Sequence, residues 1–295
     1  MCKFIITGAT GFIGSNLCKR LLKENHEVAI ICRKNSNLNT LKDVLDRIEV
    51  FYYESNLQDM INFFTIIKPD AVFHIAGLII TEHKPSDISI LIDSNIKFST
   101  QILEAMSISG VKYIINTGTC LQHYNNANYN PSCLYAATKQ AFDDILKYYV
   151  ESYNFKSITL TLFNVYGEND LSNRLLNKLN YAAITNCELK MSCGYQKIDL
   201  IYIDDVINAY IHSYHLLKDD PAINNQCYAI CTERLVTLRD LVSIYEKENK
   251  VKLNIKWCDK DYRFREVFIP WSSYTLLPGW KSKVSLEEGI KKFQN

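Results

Sequence analysis

The chain has 295 residues, 47% of them hydrophobic and 22% charged, with a formal net charge of +1. That length holds a large core in one or two closely joined domains, and the near-neutral balance argues against a nucleic-acid-binding surface. No apolar run approaches the roughly 18 to 20 residues that cross a bilayer, and the first residues enter a strand rather than a secretory signal.

In chain order, apolar and β-branched runs predict strands at 3–7, 27–32, 48–53, 71–75, 111–117 and 157–163. Helical spacing predicts helices at 12–24, 57–67, 90–109 and 135–153. This alternation specifies α/β architecture: a doubly wound, Rossmann-type parallel sheet covered on both faces. Beyond Tyr166-Gly167 the rhythm loosens into helices near 171–186, 204–217, 237–249 and 285–293, with strands near 198–203, 227–231 and 251–257. We read 1–165 as the dinucleotide-binding domain and 166–295 as a smaller, interleaved substrate-binding lobe. The ten cysteines show no Cys-x-x-Cys pair and no zinc spacing. They are expected to be free thiols of a reducing cytoplasm without a metal site, and Cys227 and Cys231 read as ordinary strand residues.

Thr7-Gly8-Ala9-Thr10-Gly11-Phe12-Ile13-Gly14 joins the first strand to the first helix. Gly8 permits the tight turn, Gly11 lets backbone approach a pyrophosphate, and Gly14 lets the helix pack close to the sheet. The helix N-terminus then offers free N–H groups to phosphate. The second strand ends in Arg33-Lys34 rather than an acidic residue. An acid there would bind the ribose 2′-hydroxyl of NAD, whereas two cations attract a 2′-phosphate, so NADPH is expected in preference to NADH or NAD. Tyr135 and Lys139 stand one helical turn apart, shortly after Thr117-Gly118-Thr119. The spacing alone is weak evidence, since Tyr214 and Lys218 share it. Location at the start of a helix that follows a strand end favours Tyr135.

With His74-Ile75-Ala76-Gly77, Asn95, Phe163-Asn164-Val165-Tyr166-Gly167, the run Asp199 to Val206 and the tail from Leu277 to Glu288, these motifs resemble extended short-chain dehydrogenase/reductases of the nucleotide-sugar epimerase/dehydratase/reductase group. Gln122-His123-Tyr124, Tyr129-Asn130-Pro131 and Leu134 to Phe142 are similar to CDP-abequose and CDP-paratose synthases within it. The resemblance implies a nucleotide-sugar substrate, CDP-linked by preference, and a homodimer built from the helices near 90–109 and 135–153. It implies catalysis by Thr119, Tyr135 and Lys139. Tyr135 would protonate a ketone oxygen, Lys139 would lower the phenol pKa and bind the nicotinamide ribose, and Thr119 (with Thr117 as competitor) would hold the oxygen. Cofactor contacts are expected from Asn56, Leu57, Ala76, Gly77, Asn95, Thr117, Phe163 and Val165. Substrate contacts are expected from Thr119, Cys120, His123 and Asn164, with Arg174, Lys197, Arg263 and Arg265 as candidates for the diphosphate. Trp257, Trp271 and Trp280 read as packing residues. Cys120-Leu121 stands where 4,6-dehydratases of the group carry an acidic pair. The expected activity is therefore 4-ketoreduction of a deoxyhexose for a surface polysaccharide, with an NAD-dependent C4 epimerase as the alternative and a non-catalytic NADP-binding scaffold as a remote third.

Overall fold

A computed structural model describes residues 1–170 and 174–293, so the first positions of the helix expected at 171–186 lie outside the described residues. In the first part, β1 (Lys3–Thr7), α1 (Phe12–Lys23), β2 (Glu27–Arg33), β3 (Ile48–Tyr53), α2 (Leu57–Ile67) and β4 (Ala71–His74) follow one another closely. Next come α3 (Ile88–Ile92), a π-helical turn (Asp93–Lys97), α4 (Phe98–Ser109), β5 (Tyr113–Thr119), α5 (Leu134–Tyr153) and β6 (Lys156–Leu162). The second part holds β7 (Asn164–Tyr166), α6 (Leu175–Thr185), β8 (Leu189–Lys190), β9 (Lys197–Tyr202), α7 (Ile203–Asp219) and β10 (Gln226–Ile230). It ends with β11 (Leu235–Thr237), α8 (Leu238–Asn249), β12 (Ile255–Lys256) and α9 (Leu286–Phe293).

Seven strands form one parallel sheet in the order β10-β6-β5-β4-β1-β2-β3. Its central strands, such as Phe4-Ile5-Ile6 and Ala71-Val72-Phe73, are buried on both faces, which is why they read as continuous apolar runs. One face packs Leu17, Cys18 and Leu21 of α1 with Val206, Ala209 and Tyr210 of α7. The other packs Met60 and Phe64 of α2, Ile102 and Met106 of α4, and Phe142 and Leu146 of α5. Strand order reverses between β1 and β4, whose ends meet at Thr7 and His74. Such a switch point leaves a crevice at the carboxyl ends of the strands.

Three local expectations need correction. The strand near 227–231, assigned to the smaller lobe, is β10 and extends the large sheet beside β6, while β11-β9-β7 and β12-β8 form separate small sheets. Its register is set by Asn224, whose Oδ1 accepts the Ser157 N–H at 3.0 Å, and by Asn225 N–H, which donates to Ser157 O at 2.9 Å. The helix expected at 90–109 is broken by the π turn. Cys193 and Cys258 form a disulfide across 65 residues, so eight thiols are free rather than ten. Neither cysteine has a nearby partner in the sequence. The fold brings them together beside Asp259, whose carboxylate takes Lys190 and Lys256 at 2.8 Å each. Among the described residues no helix is long and apolar enough to cross a membrane.

Candidate active site

Gly8 turns the chain out of β1 with φ 71°, and Gly11 N–H donates to Gly8 O at 3.0 Å. A Cβ on Gly8 would lie 2.7 Å from Ala76 N, and one on Gly14 only 2.2 Å from Gly8 O, so glycine is required at both. No side chain caps Gly11 and no acid stands in the first turn of α1. The amides there are left to face an anion, and this cradle fits the pyrophosphate of a dinucleotide. Thr10 lies on the same turn, Phe12 and Ile13 open α1, and the Phe12 ring packs towards Gly167.

At the end of β2, Arg33 N–H donates to Ser36 Oγ at 3.1 Å, while the exposed Lys34 sits 3.1 Å from Glu54. Among the described residues the Arg33 guanidinium has no ion-pair partner, so Arg33 is the freer cation of the two. Asn56 caps α2: its Oδ1 accepts Gln58 N–H at 2.9 Å, with Leu57 as the first helical residue. That side chain has a structural duty beside any adenine contact.

Asn95 sits in the π turn, a deformation often found at functional sites. Its amide takes both backbone groups of Leu78 (Leu78 N–H to Oδ1 at 2.7 Å, Nδ2 to Leu78 O at 3.0 Å) and donates to Thr138 Oγ1 at 2.9 Å. Thr138 in turn donates to Tyr135 O at 2.7 Å. Asn95 thus ties the loop carrying Ala76 and Gly77 to the helix carrying Tyr135. Below it, the buried His74 ring bridges Thr7 Oγ1 and Ser99 Oγ at 2.9 Å each, and burial pushes its pKa down to about 3.

Thr119 ends β5, Tyr135 is the second residue of α5, and Lys139 follows one turn on; all three are buried. The Thr119 hydroxyl accepts the Leu121 N–H at 3.4 Å and acts to lower the pKa of the nearby Tyr135 phenol. Thr117 is turned elsewhere, donating to His74 O at 2.8 Å and bonded to Tyr210 Oη at 2.6 Å. Burial pushes the Tyr135 phenol well above its ordinary value, with Cys133 and Cys120 adding to the effect. Arg174, rather than Lys139, is the cation that pulls it down most. Burial pushes Lys139 down to about 8, opposed by the Asp143 carboxylate. The decoy pair lies apart on α7, where the Lys218 ammonium stands 5.8 Å from the Tyr214 ring centroid.

Beside Tyr135, Phe163, Cys120, Cys231, Trp271 and Tyr274 form a small apolar wall. Burial holds the Cys120 thiol up at about 12, so it stays protonated. His123 stacks on Trp271 at 3.7 Å and 13°, and burial pushes its pKa down. Val165 is buried in the main core, and its carbonyl accepts Arg174 Nη1 at 3.0 Å. Asn164 donates to Asp199 O at 3.1 Å, joining β7 to β9.

The four basic diphosphate candidates differ in their partners. The charge of Arg174, 4.0 Å from Asp170, acts on Tyr135, and Arg263 pairs with Glu82 at 3.6 Å. Arg265 lies 4.2 Å over the Tyr124 ring and hydrogen-bonds Asn130, while Lys197 opens β9 with its N–H on Phe268 O. The sequence reading missed the polar net around Asp143 and Gln122, although Asp143 lies one turn beyond Lys139. Among the described residues no group of three or more His, Cys, Asp or Glu could hold a metal.

Comparison with known proteins decides the family. The NAD dependent epimerase/dehydratase family matches residues 4–225. The chain belongs to this family. Among curated relatives in it, CDP-abequose synthase of Salmonella muenchen is 27% identical over 98% of this chain and 96% of its own. CDP-abequose synthase of Yersinia pseudotuberculosis is 28% identical over 90% and 94%. UDP-glucose 4-epimerase of Mycolicibacterium smegmatis is 24% identical over 98% and 96%. Among solved structures, UDP-glucose 4-epimerase of Thermotoga maritima with UDP-glucose superposes with a TM-score of 0.86 at 22% identity, over 98% and 96% of the two chains. That likeness establishes the fold.

Proposed function

We propose that the protein is a cytoplasmic, NADPH-dependent reductase of the 4-keto group of a nucleoside-diphosphate-linked deoxyhexose, CDP-linked by preference, that serves surface-polysaccharide synthesis. The observation that supports this reading is that Thr119 ends β5 and that Tyr135 and Lys139 stand one turn apart in α5, all three buried. Two full-length relatives named CDP-abequose synthase support the substrate class. The free Arg33 at the end of β2, with no acid beside it in sequence, supports the 2′-phosphate.

A bound nicotinamide cofactor supplies hydride to the ketone carbon. The glycine turn and the α1 N-terminus would hold its pyrophosphate, and Arg33 would answer the charge of a 2′-phosphate. Lys139 donates to the ribose. Tyr135 gives its phenol proton to the ketone oxygen, which the Thr119 hydroxyl holds in place.

The second reading is a C4 epimerase that holds NAD, supported by the epimerase relative and by Glu54, which answers the charge of Lys34. Nucleotide extraction followed by titration with NADPH and NADH separates the two. Empty protein with a clear preference for NADPH supports the reductase, and protein loaded with NAD supports the epimerase. We further propose a homodimer through the face of α3 to α5, where Ile88, Ile90, Ile92, Ile108 and Tyr148 are exposed.

A further inference from the structure

Asp143 lies one helical turn beyond Lys139, on the face of α5 that meets β5 and β6. Its Oδ1 accepts Asn116 Nδ2 at 2.8 Å and its Oδ2 accepts Gln122 Nε2 at 3.0 Å. Asn116 also donates to Thr159 Oγ1 at 3.2 Å, and Gln122 Nε2 also reaches Gln140 Oε1 at 3.1 Å. The other end of the Gln122 amide accepts the Thr119 N–H at 2.9 Å. A hydrogen-bonded path therefore runs from the Asp143 carboxylate through the Gln122 amide to the backbone of Thr119, and the Lys139 ammonium, one turn away on α5, meets that carboxylate through its charge. The end of β5 is packed against this net: a Cβ on Gly118 would lie 3.3 Å from Gln122 Oε1.

We propose that Asp143 and Gln122 are positioning residues: Gln122 holds the backbone of Thr119, Asp143 holds Gln122, and the Asp143 carboxylate, one helical turn from Lys139, supplies the negative charge that the ammonium meets. The inference rests on the catalytic assignment above and not on the choice of substrate. Other groups facing the pair are His74 on β4, Asp144 on α5 and Cys227 on β10. Burial pushes Asp143 up to about 6 and Lys139 down to about 8, and their mutual attraction opposes both shifts. Between those values the pair is ionised on both sides. Without Asp143, desolvation acts on Lys139 unopposed and brings its titration into the neutral range.

Nitrogen NMR of protein labelled at lysine Nζ reads this directly, with Lys139 assigned by its loss in Lys139→Met. In Asp143→Asn the Lys139 midpoint should fall by about one pH unit or more, the usual effect of losing a close opposite charge. Asp143→Glu should restore it. An unchanged midpoint in folded Asp143→Asn overturns the inference. Should Asp143→Asn not fold, Gln122→Leu provides the second reading. Thr119 amide hydrogen exchange should quicken at least tenfold, and an unchanged rate contradicts the path. Neither readout requires turnover. A protein that meets both predictions yet reduces no keto sugar keeps this inference and loses the function proposed above.

Discussion

Tyr135 and His74 show how burial alone sets chemistry at single residues. Desolvation disfavours the charged form of each, so the phenol keeps its proton and the imidazole stays neutral. Replacing Tyr135 by Phe removes the proton donor. Turnover should fall by about 10²–10⁴-fold while the NADPH dissociation constant changes little, as steady-state rates and fluorescence titration would show. His74, held near 3 when folded and near 6.5 when unfolded, makes the unfolded chain the better proton binder between those values. Its contribution to stability is therefore present above about pH 6.5 and lost as pH falls towards 3. Its ring should show no protonation by NMR between pH 8 and 5, and a midpoint near 6.5 contradicts the burial argument. The places of Thr119, Tyr135 and Lys139 in the fold were legible in the sequence because two of them share one helix and the third ends the preceding strand. Arg174 was not placed beside Tyr135, because that approach depends on packing between elements, and the bonds of Asp143 to Asn116 and Gln122 were hidden for the same reason.

At the level of elements, the first β-turn-α unit was readable because Gly8 and Gly14 meet backbone contacts that no other residue tolerates. Gly14 tests this: a Cβ there meets Gly8 O at 2.2 Å and Ala9 Cα at 2.7 Å. Gly14→Ala should lower stability by about 1–3 kcal/mol, the usual effect of overpacking, as a shift in the urea midpoint with an unchanged slope. β10 was recognised as a strand but assigned to the smaller lobe rather than to the large sheet. A parallel edge strand has the same apolar pattern wherever it pairs, and the bonds from Asn224 and Asn225 to Ser157 that fix it are long-range. The π turn was hidden for a related reason. The apolar spacing of 90–109 continues through it, and only the hydrogen bonds of Asn95 to Leu78 and Thr138 show why one extra residue is inserted there.

For the whole molecule, cofactor choice and assembly follow from what the surface leaves unpaired. Arg33 is exposed without an ion-pair partner among the described residues, so Arg33→Ala should weaken NADPH by about tenfold and leave NADH unchanged, the effect of one charge-assisted contact. The exposed isoleucines of α3 and α4 predict a sedimenting species twice the 34.1 kDa chain mass, and a monomer at micromolar concentration contradicts that assembly. The most direct test of the central claim is NADPH consumption by the purified protein with a CDP-linked 4-keto-deoxyhexose. The account predicts one NADPH oxidised per sugar reduced, abolished in Tyr135→Phe. No consumption, together with interconversion of C4 epimers by protein that carries bound NAD, contradicts it.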